Sequence, residues 1–241
     1  MSLTDQMESS RRARVAIEEL IADPAQLGPD FQPIRRLADD TVIGWKATGR
    51  GKAGTEVGDT LSLLQGAQSL GLVERLDWAF RCHAFDVALA HDVTQELHLT
   101  PEPETFGSLC PPRLAASFGR GRRELRVVAE LHEDAFARED ALRPALDEMR
   151  SWGWRFAVSD LSDDRHVREA LAWVQPAYVQ VDVSRAGAAE LARAWLQAAR
   201  SAGADVMALR VDSPRALDVA RRLDATYGRG NLLGQPADLP R

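Results

Sequence analysis

Short apolar runs along this chain end in side chains able to do chemistry. Lys46 follows Val42-Ile43-Gly44-Trp45, His98 lies within Glu96 to Thr100, and Glu130 within Leu125 to Leu131. Asp160 closes Arg155 to Asp160, Gln180 lies within Ala177 to Asp182, and Leu209 holds the matching place in Asp205 to Val211. Arg229 stands on the approach to a last run, Gly230-Asn231-Leu232-Leu233-Gly234. Glu130 and Asp160, with His98 and His132, are residue types that bind Zn²⁺ or another transition metal. Glu130 and His132 would share one face of a strand, because side chains alternate along it. The competing reading makes these histidines hydrogen-bonding groups at a rim.

Gathering such residues requires strands that all end at one place, and the rest of the chain supplies them. Gln6 to Ala22 reads as an amphipathic helix with Val15, Ile17, Leu20 and Ile21 apolar, stopped by Asp23-Pro24. Two strand-like runs follow, Asp30 to Leu37 and Thr41 to Thr48, joined by the turn residues Asp39-Asp40. From Asp59 the pattern alternates helix with short apolar strand. Helices are predicted over Leu61 to Leu70, Val73 to Ala90, Asp140 to Trp152, Val167 to Val174, Ala189 to Ser201 and Pro214 to Ala225, with another stretch before Leu125. Gly153 and Gly203 sit where C-terminal caps need a left-handed residue, and Ser213-Pro214 reads as an N-cap with proline in the first helical position. Eight nearly continuous apolar strands with helices between them predict an α/β fold, a TIM-like (β/α)8 barrel with a β-β start. Residues 1–241 then form one domain, of which 1–28 are the N-terminal helix and the lead-in to the barrel. Chemistry in such a barrel belongs at the C-terminal strand ends.

Composition narrows the function classes. A net charge of -6 argues against a nucleic-acid binder, although arginines cluster in Gly119 to Arg126, read as a solvated turn with anion binding as the alternative. Cys82 and Cys110 lie far apart in sequence and lack metal-ligand spacing, which argues against a disulfide framework or structural zinc and for a reducing cytoplasm. No apolar run is long enough to cross a bilayer and the N-terminus lacks a signal peptide's apolar core, so a soluble, cytoplasmic protein with no membrane partner is expected.

Read in order, these segments resemble the EAL domains, bacterial phosphodiesterases and receptors of the second messenger cyclic di-GMP. Phe31-Gln32-Pro33-Ile34 is similar to the family's opening Tyr/Phe-Gln-Pro-Ile, and Gly44 to Arg50 occupies the place of Glu-Ala-Leu-x-Arg. Leu97 to Pro103 resembles the Asn-Leu-Ser-Pro segment, Ala129 to Asp134 Glu-x-Thr-Glu, and Arg155 to Asp163 the Asp-Asp-Phe-Gly loop. Tyr178 to Ser184, Val206 to Ser213 and Tyr227 to Pro236 resemble the Lys-x-Asp, Ala-Glu-Gly-Val-Glu and Gln-Gly-Tyr-Leu-Phe-Gly-Lys-Pro segments.

The resemblance implies a site for two divalent cations, Mg²⁺ or Mn²⁺, which activate a water and clamp the phosphoryl charge. Position by position that site is altered. The signature glutamate is Lys46, the asparagine His98, the first aspartate of the pair Ser159, the lysine Gln180, the next glutamate Leu209 and the glutamine near the last strand Arg229. Glu130 and Asp160 alone remain of the catalytic set. A lysine among the carboxylates repels further cations, so loss of hydrolysis is expected, with Lys46 and Arg229 serving as built-in counter-ions for Glu130 and Asp160. The alternative has Lys46 reaching solvent unpaired. Gln32 and Arg50 match ligand-contacting positions of the family, and Arg50 could hold a phosphate bidentately, its competing role being a rim salt bridge. Thr48 in place of the signature leucine, and Asp163-Asp164 in place of Thr-Gly, work against binding.

The expectation is therefore a catalytically inactive, degenerate EAL-like domain in cyclic di-GMP signal transduction, without an attached cyclase or sensor domain. It acts as a protein-interaction module or nucleotide receptor and needs no cofactor, Mg²⁺ or Mn²⁺ entering only if activity is retained. The alternative is a cyclic di-GMP phosphodiesterase with a rearranged metal site. Partners are cyclic di-GMP, an unidentified protein, or a second copy in a homodimer. Trp45, Trp78, Trp152, Trp154, Trp173 and Trp195 are candidate interface anchors, with core packing as their commoner role.

Overall fold

A computed structural model describes residues 3–51, 54–55, 57–159, 171–185 and 196–240. Eight strands close a barrel in chain order. β1 (Gly28–Arg36) runs antiparallel to β2 (Val42–Arg50), with the chain reversing at Asp39-Asp40, where Asp40 takes a φ of 62° and Asp39 Oδ1 accepts the Thr41 amide at 3.1 Å. From β2 onward every neighbour is parallel: β3 (Glu96–Leu99), β4 (Arg126–His132), β5 (Arg155–Ser159), β6 (Tyr178–Asp182), β7 (Asp205–Leu209) and β8 (Tyr227–Gly228). An antiparallel pairing of β8 with β1 completes the ring, so the β-β start inverts one strand of the barrel.

The strands read as apolar runs because they are buried on both faces. Inside the barrel Ile34, Val128, Ala157, Tyr178, Met207 and Leu209 pack together, and a larger shell of side chains lies between the strands and the helices. Those helices are α1 (Leu3–Ala22), α2 (Thr60–Leu70), α3 (Val73–Ala90), α4 (Ala115–Glu124) and α5 (Glu139–Ser151), then α6 and α7, described over 171–174 and 196–201, and α8 (Pro214–Arg222). The capping residues behave as their chemistry requires. Gly153 and Gly203 adopt φ of 80° and 77°, and Ser213 accepts the Ala216 amide at 3.2 Å beside Pro214. α1 begins a turn earlier than its pattern suggests, and Val15 faces outward while Ile17, Leu20 and Ile21 are buried against α2 and α3.

Two assignments differ from the sequence reading. The last strand is Tyr227–Gly228, and Gly230 to Gly234 is a turn closed by the amides of Leu233 and Gly234 on the Gly230 carbonyl at 3.0 and 3.1 Å. Gly230 lies against the Val211 backbone, where a Cβ would come within 2.3 Å of the amide nitrogen, so its glycine marks a close approach and not a strand. Arg229 consequently follows β8 directly, at a strand end.

The arginine cluster from Gly119 to Arg126 likewise lies on α4 and the start of β4, not on a solvated turn. Gly121 permits this, since a Cβ there would sit 2.2 Å from Phe85 on α3. Arg120 pairs with Asp86 at 2.7 Å, and Arg122 lies over the rings of Phe118 and Trp152. These guanidiniums are tied into the helix layer.

Candidate functional site

Glu130 sits in the interior-facing row of β4, fully buried, and four donors converge on its two oxygens. Lys46 Nζ lies 2.8 Å from Oε2 and the Arg229 guanidinium 3.2 Å from the same atom. His98 Nδ1 is 3.0 Å and Gln180 Nε2 2.7 Å from Oε1. The fold delivers these groups from four strands, β2, β3, β6 and β8. Lys46 on β2 is in register with Gln32 on β1 and His98 on β3, Gln180 reaches across from β6, and Arg229 leaves β8 held by its amide on the Ala208 carbonyl at 2.9 Å. Lys46 also donates to Thr100 Oγ1, and only 8% of its side chain is exposed, so it does not run out to solvent.

Burial pushes the Glu130 carboxyl toward neutrality, but Arg229, Lys46 and His98 outweigh it and hold the group well below the usual carboxylate range. Burial pushes Lys46 below its ordinary value, with Glu130 opposing. Lys46 and the Arg229 guanidinium thus share one carboxylate oxygen of Glu130.

Beneath this layer the polar chain continues. His98 Nε2 lies 3.7 Å from Glu96 Oε2, and Glu96 accepts from Tyr178 at 2.6 Å and from Arg155. Burial raises the Glu96 carboxyl, yet His98, Tyr178 and Arg155 together bring it down to about 2. A carboxylate in the first position of a fully buried strand needs such partners. That Glu96 and His98 share a face of β3 was the sequence signal that could have exposed this network.

The other candidate residues divide. Ser159 Oγ is 3.0 Å from His132 Nδ1, so the two histidines do not converge: His98 turns to Glu130 and His132 to β5. Among the described residues no group of three or more His, Cys, Asp or Glu side chains is placed to hold a metal ion. Asp160 lies outside the described residues, as do Asp163, Asp164 and Trp195. Leu209 joins the apolar barrel interior. Gln32 Nε2 donates to the Gly234 carbonyl at 3.1 Å. Arg50 forms a two-pronged pair with Asp30 at 3.0 and 3.1 Å, the rim salt bridge that was the alternative to ligand binding. Trp78 and Trp154 are buried, and Trp45, Trp152 and Trp173 are half-buried against the core, which removes the described tryptophans as exposed interface anchors.

A cavity of about 270 Å³ opens beside Lys46, with Thr100, Glu102 and His132 on its polar side and Leu63, Leu76 and Phe80 on its apolar side. Glu102, unremarked in the sequence, is pushed up to about 7 by burial and by the charges of Asp77, Glu104 and Asp134, with His132 opposing. Asp77 itself is locked to Arg81 four residues along α3.

The barrel, its inverted first strand and these strand-end residues define an α/β barrel of the EAL type. The EAL domain family matches residues 14–236, and the chain belongs to it. Among solved structures, the EAL domain of Xanthomonas citri FimX in complex with cyclic di-GMP superposes with a TM-score of 0.80 at 15% identity, covering 98% of this chain and 97% of that one. The Pseudomonas aeruginosa FimX EAL domain bound to cyclic di-GMP gives 0.76 at 16% identity over 94% and 97%. The Bacillus subtilis YkuI protein, in complex with cyclic di-GMP and calcium, gives 0.71 at 19%, covering 93% of this chain and 58% of that one. No curated protein sequence matches.

The family's divalent cations do not fit the described residues. A hard cation needs free carboxylate or carbonyl oxygens, and both Glu130 oxygens already accept from two donors each. An ammonium stands 2.8 Å from one of them.

Proposed function

We propose that this EAL domain works in cyclic di-GMP signalling without hydrolysing the dinucleotide, as a receptor or a protein-interaction module. The clamp of Lys46, Arg229, His98 and Gln180 on Glu130 carries this reading. Metal-dependent hydrolysis requires oxygens that can hold the ion activating a water. Here both oxygens of Glu130 are engaged by protein donors, which supports Lys46 and Arg229 as its counter-ions. The extension of that role to Asp160 belongs to the same proposal. The test is incubation with cyclic di-GMP and Mg²⁺ or Mn²⁺: the reading expects no linear dinucleotide, and its formation would establish the phosphodiesterase alternative with a rearranged metal site.

Support for the receptor form comes from the cavity beside Lys46, which combines an apolar wall with polar groups, as ligand sites do. Arg50 would meet a phosphate only by leaving Asp30, so affinity is expected to be modest. Calorimetry with cyclic di-GMP separates the two forms, saturable heat without metal marking a receptor. In the module form, a protein partner or a second copy would be recognised by surface other than the described tryptophans. We place this activity in the bacterial cytoplasm. Among the described residues no helix is long and apolar enough to cross a membrane.

A further inference from the structure

One face of α3 is laced to the segment that links β3 to α4. Arg81, already bound to Asp77, donates to Thr105 Oγ1 at 3.1 Å, and Trp78 Nε1 donates to Ser108 Oγ at 2.9 Å. Cys82, the next residue on that face, is buried and points its Sγ to the Leu114 carbonyl at 3.8 Å. Cys110 lies in the same segment, half-buried, with Sγ 3.7 Å from the Pro111 carbonyl, which also accepts the Leu114 amide at 2.8 Å. Both sulfurs therefore line one short turn, Pro111 to Leu114. Leu109, next to Cys110, is 87% exposed, so one end of the pair is open to small reagents. The same segment begins at Thr100 and Glu102, the polar wall of the cavity beside Lys46.

We propose that Cys82 and Cys110 form a reversible intramolecular disulfide that fastens the β3-to-α4 segment, and with it one wall of the barrel-mouth cavity, to α3. The oxidant is hydrogen peroxide. The Cys110 thiolate attacks one peroxide oxygen, the O–O bond breaks, and hydroxide leaves as Cys110 becomes a sulfenic acid. The Cys82 sulfur then attacks the Cys110 sulfur, the S–O bond breaks, and water departs with the Cys82 proton. Two thiols lose two electrons, and the peroxide is reduced to two waters. Cys110 is the entry point because it is the accessible member, and Cys82 the resolving one. Burial raises both thiols, Cys82 far more than Cys110, while the Arg81 guanidinium favours both thiolates. The bond should form slowly at neutral pH and faster as pH rises, since the thiolate is the reactive form. This proposal does not depend on nucleotide binding or on loss of hydrolysis.

The test treats the purified full chain with hydrogen peroxide, removes it, unfolds the protein, alkylates free thiols with iodoacetamide and weighs the intact chain. We expect both cysteines to escape alkylation, the monomer to lose two hydrogens, and dithiothreitol to restore both thiols. Limited proteolysis of the 100–114 segment should slow in the oxidised wild type and stay unchanged in peroxide-treated Cys110→Ser, where Cys82 remains fully alkylatable. The proposal is overturned by two alkylated cysteines after treatment of folded protein, by a sulfinic acid on Cys110 with Cys82 free, or by a disulfide found only between two chains.

Discussion

Lys46 Nζ and Glu130 Oε2 lie 2.8 Å apart inside the mouth of the barrel, with 8% of one side chain and none of the other reaching solvent. A buried pair of this kind is expensive to half-remove, because the survivor keeps its desolvation penalty and loses its partner. Lys46→Met should cost about 3 kcal/mol, moderated by Arg229, which remains on the same oxygen. Adding Glu130→Gln should recover much of that loss. Denaturant unfolding of the two single variants and the double should give a coupling energy of about 2 kcal/mol, and additive single effects would show that the pair contributes nothing.

The second carboxylate of the barrel interior sets an acid limit. Glu96 is held to about 2, so its folded value lies below its unfolded one. Its contribution is present above the unfolded pKa and disappears as pH falls from about 5 toward 2. It should be worth about 2 kcal/mol after allowing for solvent screening. The stability of wild type should fall across that window, and Glu96→Gln, less stable at pH 7, should show a flatter profile.

Glu102 predicts the opposite sign. Its carboxyl is raised to about 7, so the folded state holds the proton more tightly than the unfolded one. The stability this gives is complete below the unfolded pKa and is lost as pH rises through about 7. Glu102→Gln should therefore gain about 1 kcal/mol relative to wild type between pH 5 and pH 8, read by thermal unfolding at the two pH values.

Gly121 and Gly119 lie on one helix and should respond differently to the same change. A methyl at 121 would press on the fully buried Phe85 ring at 2.2 Å, whereas at 119 it would meet only the end of Arg123 at 3.3 Å. Gly121→Ala should cost about 2 kcal/mol, and Gly119→Ala should gain about 0.5 kcal/mol from helix propensity, both measured by denaturant midpoint.

Why these features were unevenly legible follows from the range over which each is determined. β2 to β7 were visible because a strand buried on both faces must be apolar along its length, which fixes where Lys46, His98, Glu130 and Gln180 end up. Their convergence on one carboxylate followed from the barrel, once eight strands had been counted. The misplacement of the last strand came from Leu232 and Leu233, an apolar pair inside a turn whose glycines answer to the Val211 and Pro33 backbones and rings of distant segments. The helical stretch expected before Leu125 is α4, but Gly119 to Arg126 read as a turn because Gly121 breaks helix propensity locally and is required by Phe85, 36 positions away in sequence. Glu102 gave no sign, since its raised affinity for a proton arises from burial, and then from the charges of Asp77, Glu104 and Asp134, which only the folded chain brings around it.

The central claim is that protein cations occupy the electrostatic role that divalent metal would have on Glu130. Titrating Mn²⁺ into the full chain, followed calorimetrically alongside Glu130→Gln, tests it most directly. The account predicts no saturable heat from wild type beyond that of the variant. Tight binding by wild type that disappears in Glu130→Gln would contradict it.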